Sequence, residues 1–305
     1  MAPTTSQLPQ YHDTAVNFEA HGGKSGKATV HYVTAGSSSS PTLLLLHGFP
    51  SSSTQFRHII PMLSDSYHVL APDLPGFGLT EVPDDFEYTF DNLAAVIKAW
   101  IAELKLKNMA IYIFDYGAPT GLRIAKENPD NVKAIISQNG NAYKEGFGQD
   151  FWAGIFKLWE TQDSSDARKV LEDNVLTLGT TKFQYTQGVP ESDLSLLDPQ
   201  AWHSDYNQNL VGAKNAKRQL DLFYDYRKNV DLYPGFQQYF RDSKVPILAV
   251  WGKGDPAFIP PGAEGFKKDS PNAQVHFVDA GHFALETKRE EIVEKIREFL
   301  KGVKF

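Results

Sequence analysis

The chain of 305 residues has no cysteine. That single absence removes disulfides, thiolate metal sites and a cysteine nucleophile. Nowhere do about eighteen apolar residues run together, so no membrane-spanning helix is expected. Lysine and arginine are scattered and never alternate with aromatics in a cluster, so nucleic acid is not expected as a partner. The opening stretch, Met1 to Gln7, has neither a basic segment nor an apolar core. No secretory leader is therefore expected, and a soluble cytoplasmic protein fits best. No internal repeat is visible. What the chain does have is 41 % apolar residues and a net charge of −7 from 30 basic and 37 acidic side chains. This is enough for one large α/β domain carrying an inserted subdomain.

The chain is organised around Met109-Ala-Ile-Tyr-Ile-Phe-Asp-Tyr-Gly-Ala-Pro-Thr-Gly-Leu-Arg123. Met109 to Phe114 is a short apolar run of the kind that forms a strand buried on both faces. Gly117, Pro119 and Gly121 follow, and a helix is expected from there. Asp115 stands alone between strand and helix. A sharp strand-to-helix bend lifts its side chain above the edge of a parallel sheet and aims the first helical N–H groups at it. A carboxylate there is either a nucleophile or an ordinary helix N-cap.

Upstream, Ala15 to Phe18 and Lys27 to Ala35 read as antiparallel strands, and Gly36 to Pro41 as a surface loop. Leu43 to Leu46 is a strand ending in His47-Gly-Phe-Pro50, and a helix is expected over Gln55 to Leu63. Tyr67 to Ala71 is the next strand, followed by the turn Asp73-Leu-Pro-Gly-Phe-Gly78. Asp91 to Leu106 carries an apolar helical stripe. Downstream come strands at Val132 to Ser137, Val245 to Trp251 and Gln274 to Val278, then a helix over Glu290 to Lys301. This alternation predicts a mostly parallel, doubly wound α/β sheet with any active site at the strand C-termini. Residues 143–242 break the rhythm with helical, aromatic-rich sequence and no strand. The expected organisation is a core of 1–142 and 243–305 with 143–242 as a helical lid.

Three further signals fall at strand ends: His47, Asp255 in Gly252-Lys-Gly-Asp255, and His282 in Asp279-Ala-Gly-His282. Each has a bland alternative. His47 orients a loop, Asp255 holds a turn, or His282 is a satisfied structural histidine. Jointly they follow the order nucleophile, acid, histidine, all after sheet strands.

With His47-Gly-Phe-Pro50, Asp73-Leu-Pro-Gly-Phe-Gly78, Asp115-Tyr-Gly117, Gly252-Lys-Gly-Asp255 and Gly281-His282, the chain resembles an α/β-hydrolase of the epoxide hydrolase and haloalkane dehalogenase branch over nearly its whole length. The resemblance implies an α/β-hydrolase fold with an inserted cap. It makes Asp115 the nucleophile, His282 the general base and Asp255 the acid that orients the histidine. In some relatives the acid follows the strand before the cap; here Asn139, Gly140 and Asn141 occupy that place, and the nearest carboxylate is Glu145. The backbone N–H groups of Phe49 and Tyr116 would form the oxyanion hole. An aspartate is already anionic at neutral pH, so it attacks carbon directly and forms an ester, which water activated by His282 then hydrolyses.

The leaving group divides the branch. A halide leaves as a stable anion, whereas an opening epoxide leaves as an alkoxide and needs a proton donor. Tyrosine suits that task. Relatives carry cap tyrosines, one of them ahead of the acid-bearing strand, and Tyr226 in Asp225-Tyr-Arg-Lys-Asn229 sits similarly, 29 residues before Asp255. Tyr226 is the first candidate donor and Tyr185 a weaker second, lid packing being the alternative for both. Tyr116 stands where many relatives have Trp, and Phe49 brings no side-chain donor. Trp152, Trp159 or Trp202 remain to serve a halide. Epoxide hydrolysis is the main expectation and haloalkane dehalogenation the alternative, with a non-catalytic ligand-binding relative as the third. The expected ligand is a small, apolar to moderately polar molecule. No cofactor or metal is implied, and a homodimer is left open.

Overall fold

Strict alternation in the central strands sends their side chains to two opposite cores. Leu44, Leu46, Ile111, Ile113 and Ile135 enter one, while Leu43, Leu45, Tyr112, Phe114 and Ile136 enter the other. The computed structural model describes residues 8–23 and 25–305; the Met1 to Gln7 stretch considered for a leader lies outside them. In chain order the first half contains β1 (Gln10–Glu19), β2 (Ser25–Ala35), β3 (Thr42–Leu46), α1 (Ile59–Leu63), β4 (His68–Pro72), α2 (Phe90–Glu103), β5 (Met109–Phe114), α3 (Gly117–Glu127) and β6 (Val132–Gln138). Six helices follow: α4 (Gln149–Glu160), α5 (Ser165–Asn174), α6 (Leu178–Thr186), α7 (Pro199–Asn209), α8 (Ala213–Asp225) and α9 (Arg227–Ser243). The chain then returns through β7 (Ile247–Gly252), α10 (Pro261–Asp269), β8 (Gln274–Val278) and α11 (Leu285–Leu300).

The eight strands form one sheet in the order β1-β2-β4-β3-β5-β6-β7-β8. Strands β3 to β8 pair in parallel, and the β1–β2 and β2–β4 pairs are antiparallel. The fold is therefore the expected α/β-hydrolase type of mostly parallel sheet. From β3 the chain passes to β4 on one side and later to β5 on the other, so the loops after β3 and β5 open beside each other. A crevice at such a reversal is where ligands bind in open α/β sheets.

Element ends differ from the sequence reading where local chemistry intervenes. The expected helix over Gln55–Leu63 is a short 3-10 turn, Ser53–Phe56, capped by Ser52, and then α1. Strand β7 starts after Pro246, which has no N–H to give to a ladder. Helix α11 begins five residues earlier than expected and is broken by non-helical backbone at Lys288.

Between β6 and β7 the chain adds no strand to the sheet among the described residues. Its helices are tied to loops that follow the strand C-termini. Asn209 at the end of α7 accepts from the Gly78 N–H (2.9 Å) and donates to the Pro50 carbonyl (2.7 Å). The Trp152 indole of α4 donates to the Ala257 carbonyl at 2.9 Å. Among the described residues no helix is long and apolar enough to cross a membrane.

The bend after β5 depends on two glycines. A Cβ on Gly117 would lie against the Leu46 carbonyl oxygen, and one on Gly48 against the Asp115 side chain, both well inside van der Waals contact. The obstacle at Gly117 is backbone and cannot swing aside. Gly117→Ala is expected to lower stability by about 1–3 kcal/mol, read as a lower urea midpoint with unchanged slope.

Candidate active site

Asp115 connects β5 to α3 with φ +45°, in the left-handed region. This is uncommon for a residue with a Cβ and costs on the order of 1 kcal/mol or more. The bend turns the carboxylate back over β3. There Oδ1 accepts the Phe49 backbone N–H at 2.6 Å. Burial pushes the Asp115 carboxyl up to about 6; His282 and the N–H groups of Phe49 and Tyr116 pull against that, and Asp255 adds to it. The two N–H groups named from the sequence thus converge on one carboxylate.

His282 and Asp255 are brought to the same place by β8 and β7. His282 Nδ1 lies 2.7 Å from Asp255 Oδ2, and its Nε2 lies 4.0 Å from Asp115 Oδ2. A carboxylate accepts only, so the proton of the neutral imidazole sits on Nδ1 and the lone pair of Nε2 faces Asp115. Burial opposes the charged imidazolium, but Asp255 and Asp115 outweigh it and hold the His282 pKa above its ordinary value. Phe114 packs its ring 4.6 Å from the imidazole.

Asp255 is fixed from three sides. Besides His282, Oδ2 accepts from Asn139 Nδ2 at 2.7 Å, and Oδ1 accepts the Ala257 N–H at 2.7 Å. Asn139 is itself held by the Gly252 N–H (2.9 Å). The sequence marked Asn139 only as occupying another acid's place; the structure makes it a donor to Asp255. Glu145 pairs with Lys268 on the surface. His47 takes the bland course: buried, it accepts the Leu74 N–H at 2.9 Å and so ties the loop after β3 to the loop after β4. Asp73 reinforces that tie by accepting the Ser53 and Leu79 N–H groups at 2.7 and 2.8 Å.

Of the two candidate donors, Tyr226 lies with the site. It is fully buried, its ring 5.9 Å from Tyr116 and 4.8 Å from Trp152. Burial, Tyr233 and the charges on Asp115 and Tyr116 all raise its pKa well above the ordinary value, so it stays protonated. Tyr185 is a correction. Its hydroxyl donates to buried Asp205 at 2.6 Å, and its ring stacks on Phe283 at 3.9 Å. The side chain is thus committed to α7 and to the loop before α11, with no hydroxyl free to face Asp115.

The second hydroxyl beside Tyr226 belongs to Tyr233, 3.5 Å away, which also accepts from Asn141 Nδ2 at 3.4 Å. Tyr233 is raised above its ordinary pKa chiefly by burial, with Asp115 adding to the rise. The sequence reading missed it. The signal was the seven-residue spacing from Tyr226, two turns of helix, which places both on one face. Among the described residues, no group of three or more His, Cys, Asp or Glu side chains is arranged to hold a metal ion.

Residues 41–289 match the family model for the alpha/beta hydrolase fold. The chain is 42 % identical over 268 residues to a Saccharomyces cerevisiae protein named as the uncharacterized hydrolase YNR064C, covering 88 % of this chain and 91 % of that one. It is 26 % identical to a cis-3-alkyl-4-alkyloxetan-2-one decarboxylase of Shewanella oneidensis, covering 94 % and 90 %. Among solved structures, the epoxide hydrolase CorEH is similar with a TM-score of 0.73 and 21 % identity, covering 96 % of this chain and 99 % of that one. The haloalkane dehalogenase DatA of Agrobacterium tumefaciens C58 is similar with a TM-score of 0.75 and 22 % identity, covering 98 % and 99 %. The two structures speak to the fold alone. The sheet, the bend at Asp115 and the match over residues 41–289 agree, and the chain belongs to the α/β-hydrolase fold family as a hydrolase.

Proposed function

We propose that the protein is an epoxide hydrolase that works through an ester on Asp115. The observation that carries this reading is the pair of buried hydroxyls, Tyr226 and Tyr233, 3.5 Å apart and both within the field of the Asp115 charge. Oδ1 of Asp115 rests on the Phe49 N–H, so Oδ2 is the attacking atom. It bonds to an epoxide carbon, that carbon's bond to the ring oxygen breaks, and the oxygen takes a proton from the tyrosine pair. His282 Nε2 then removes a proton from water, whose oxygen adds to the ester carbonyl. The oxyanion forms at Oδ1, which the Phe49 N–H already meets, and the Tyr116 N–H also serves this carboxyl. Collapse breaks the bond between Cγ and the substrate-bound oxygen, which leaves with the proton held by His282. The carboxyl proton brought by water returns to the tyrosine pair, so diol, carboxylate and neutral imidazole result, Asp255 having held the imidazole tautomer throughout. The 4.0 Å gap between His282 and Asp115 is too long for a hydrogen bond, which suits a base acting through water in the second step.

In this reading residues 143–242 are the cap that closes over a small, largely apolar epoxide, and residues 1–142 and 243–305 are the catalytic core. Phe49, Phe147 and Trp152 join the two tyrosines in the aromatic wall. Carbon–halogen hydrolysis is the second reading. It is favoured by the Tyr116 hydroxyl, buried with no partner among the described residues and free to donate to a halide. Against it, the indole N–H groups of Trp152 and Trp159 are taken by the Ala257 and Phe223 carbonyls.

The deciding assay follows diol from aryl and alkyl epoxides, halide from chloro- and bromoalkanes, and ring loss from the oxetan-2-one for which the Shewanella relative is named. Diol formation is expected to dominate; halide release without diol would overturn the epoxide reading. His282→Gln should accumulate the ester on the peptide containing Asp115, seen by mass spectrometry. A protein that only binds its ligand would give no adduct. Replacing both Tyr226 and Tyr233 by Phe is expected to slow ring opening by about 10²–10⁴-fold.

The two steps should also separate by pH. Asp115 must be ionised to attack, so ester formation is expected to fall on the acid side with a midpoint near 6 rather than near 3.8. His282 must be neutral to take a proton, so ester hydrolysis should rise with pH; esterification removes the Asp115 charge and leaves Asp255 to favour the imidazolium against burial. Single-turnover rates across pH 4–9 would show both limbs.

A further inference from the structure

Helix α3 starts immediately behind Asp115 and carries a buried cation, Arg123, that the steps above do not use. Its Nε lies 2.6 Å from Asp91 Oδ1, and its Nη1 donates to the Pro119 carbonyl at 3.0 Å and to Asn229 Oδ1 at 2.7 Å. Arg123 is 5 % exposed and Asn229 is fully buried. Among the described residues, Nη2 of Arg123 and Nδ2 of Asn229 have no acceptor. A buried guanidinium with unused donors is costly, and apolar side chains commonly replace such groups without loss of stability.

Asn229 stands on α9 three residues after Tyr226 and four before Tyr233, on the face the two tyrosines share. Its own N–H donates to the Tyr226 carbonyl at 2.9 Å. Arg123 also lies 6.0 Å over the Phe90 ring, which touches the rings of Tyr116 (4.9 Å) and Tyr226 (5.3 Å). Tyr226 and Asn141 approach the Tyr233 hydroxyl, and of the charged groups acting on it Asp115 raises its pKa and Arg123, the one cation, lowers it. Ester formation moves one negative charge off Asp115 and onto the ring oxygen and the tyrosines that give it a proton. Arg123 is joined to the tyrosine-bearing helix through its 2.7 Å hydrogen bond to Asn229.

We propose that Arg123 is a positioning residue of this site. Through Asn229 it clamps the tyrosine-bearing start of α9 to the helix behind Asp115, and its positive charge acts on the Tyr233 hydroxyl. The inference rests on the epoxide reading for its catalytic consequence, but its effect on Tyr233 is measurable without substrate.

The test uses the full chain with Arg123→Gln, Arg123→Lys and Asp91→Asn, each alone and with Tyr226→Phe/Tyr233→Phe. Arg123→Gln is expected to slow ester formation by about tenfold or more and to leave ester hydrolysis within about twofold. In the background without the tyrosine hydroxyls it should add nothing. Arg123→Lys, which keeps the charge, should recover part of the rate, and Asp91→Asn, which keeps the cation but ends the ion pair, should cost less than Arg123→Gln. In parallel, 3-fluorotyrosine placed at 233 is followed by fluorine NMR against pH. Its ionisation midpoint is expected to rise in Arg123→Gln. If Arg123→Gln slows both steps alike, acts equally without the hydroxyls, or leaves the fluorotyrosine midpoint in place, Arg123 is a packing residue and the proposal fails. If the wild-type chain yields neither ester nor diol, the epoxide reading fails, and the fluorotyrosine midpoint alone decides whether Arg123 acts on Tyr233. Should Arg123→Gln fail to fold, Arg123→Met, which keeps the bulk and removes the charge, decides by the same readings.

Discussion

The structure depends on one bend. Asp115 is held in a left-handed conformation between β5 and α3, and everything around it is shaped to keep it there. Gly117 lets the start of α3 sit on the backbone at the end of β3, and Gly48 leaves room for the carboxylate itself. The Phe49 N–H then meets Oδ1 at 2.6 Å. Strain at one residue is tolerable because the parallel sheet beneath is buried on both faces and cannot relax to relieve it. The same geometry that costs free energy brings a carboxylate, a histidine and two backbone donors to one point.

Two buried aspartates serve this point, and their surroundings differ in a way that separates their proposed roles. Asp255 is saturated with donors: Asn139, Ala257 and His282 all approach it. Asp115 is met by two backbone N–H groups, with His282 Nε2 standing 4.0 Å from Oδ2, and burial pushes its carboxyl up to about 6. A carboxylate with fewer hydrogen bonds keeps more of its charge available for bonding to carbon. The saturated partner is better suited to steadying an imidazolium. One residue type thus fills two positions through hydrogen bonding alone.

Much of this was legible in the chain. Met109 to Phe114 announced a doubly buried strand, and β5 has those bounds. The strand rhythm and its interruption gave the sheet and the helical insertion, because both follow from local periodicity and turn residues. The residues brought together at the strand ends, Asp115, Asp255 and His282, could be named because each lies on a short loop whose exit the sheet dictates. The tyrosines could not be assigned so readily. Tyr185 and Tyr233 both sit on helices with aromatic neighbours, and the sequence does not say which helix face meets the sheet edge. Tyr185 was drawn away by Asp205 on α7, a partner 20 residues on that no short-range pattern reveals. Arg123 looked like an ordinary helix residue until α2 and α9 closed over it. Helix and strand ends were less legible: β1 starts five residues before the expected Ala15, and α2 stops three residues short of Leu106.

The indoles of Trp152 and Trp159 flank Tyr226, with ring centroids 4.8 and 6.4 Å away. Two of the chain's five tryptophans therefore form a ceiling against Tyr226, each pinned by its own N–H to a carbonyl. Rigid indoles beside a phenol whose ionisation or proton transfer changes their surroundings make an intrinsic optical reporter. Light emitted by the unlabelled protein should carry a signature of what happens beneath that ceiling, turnover by turnover.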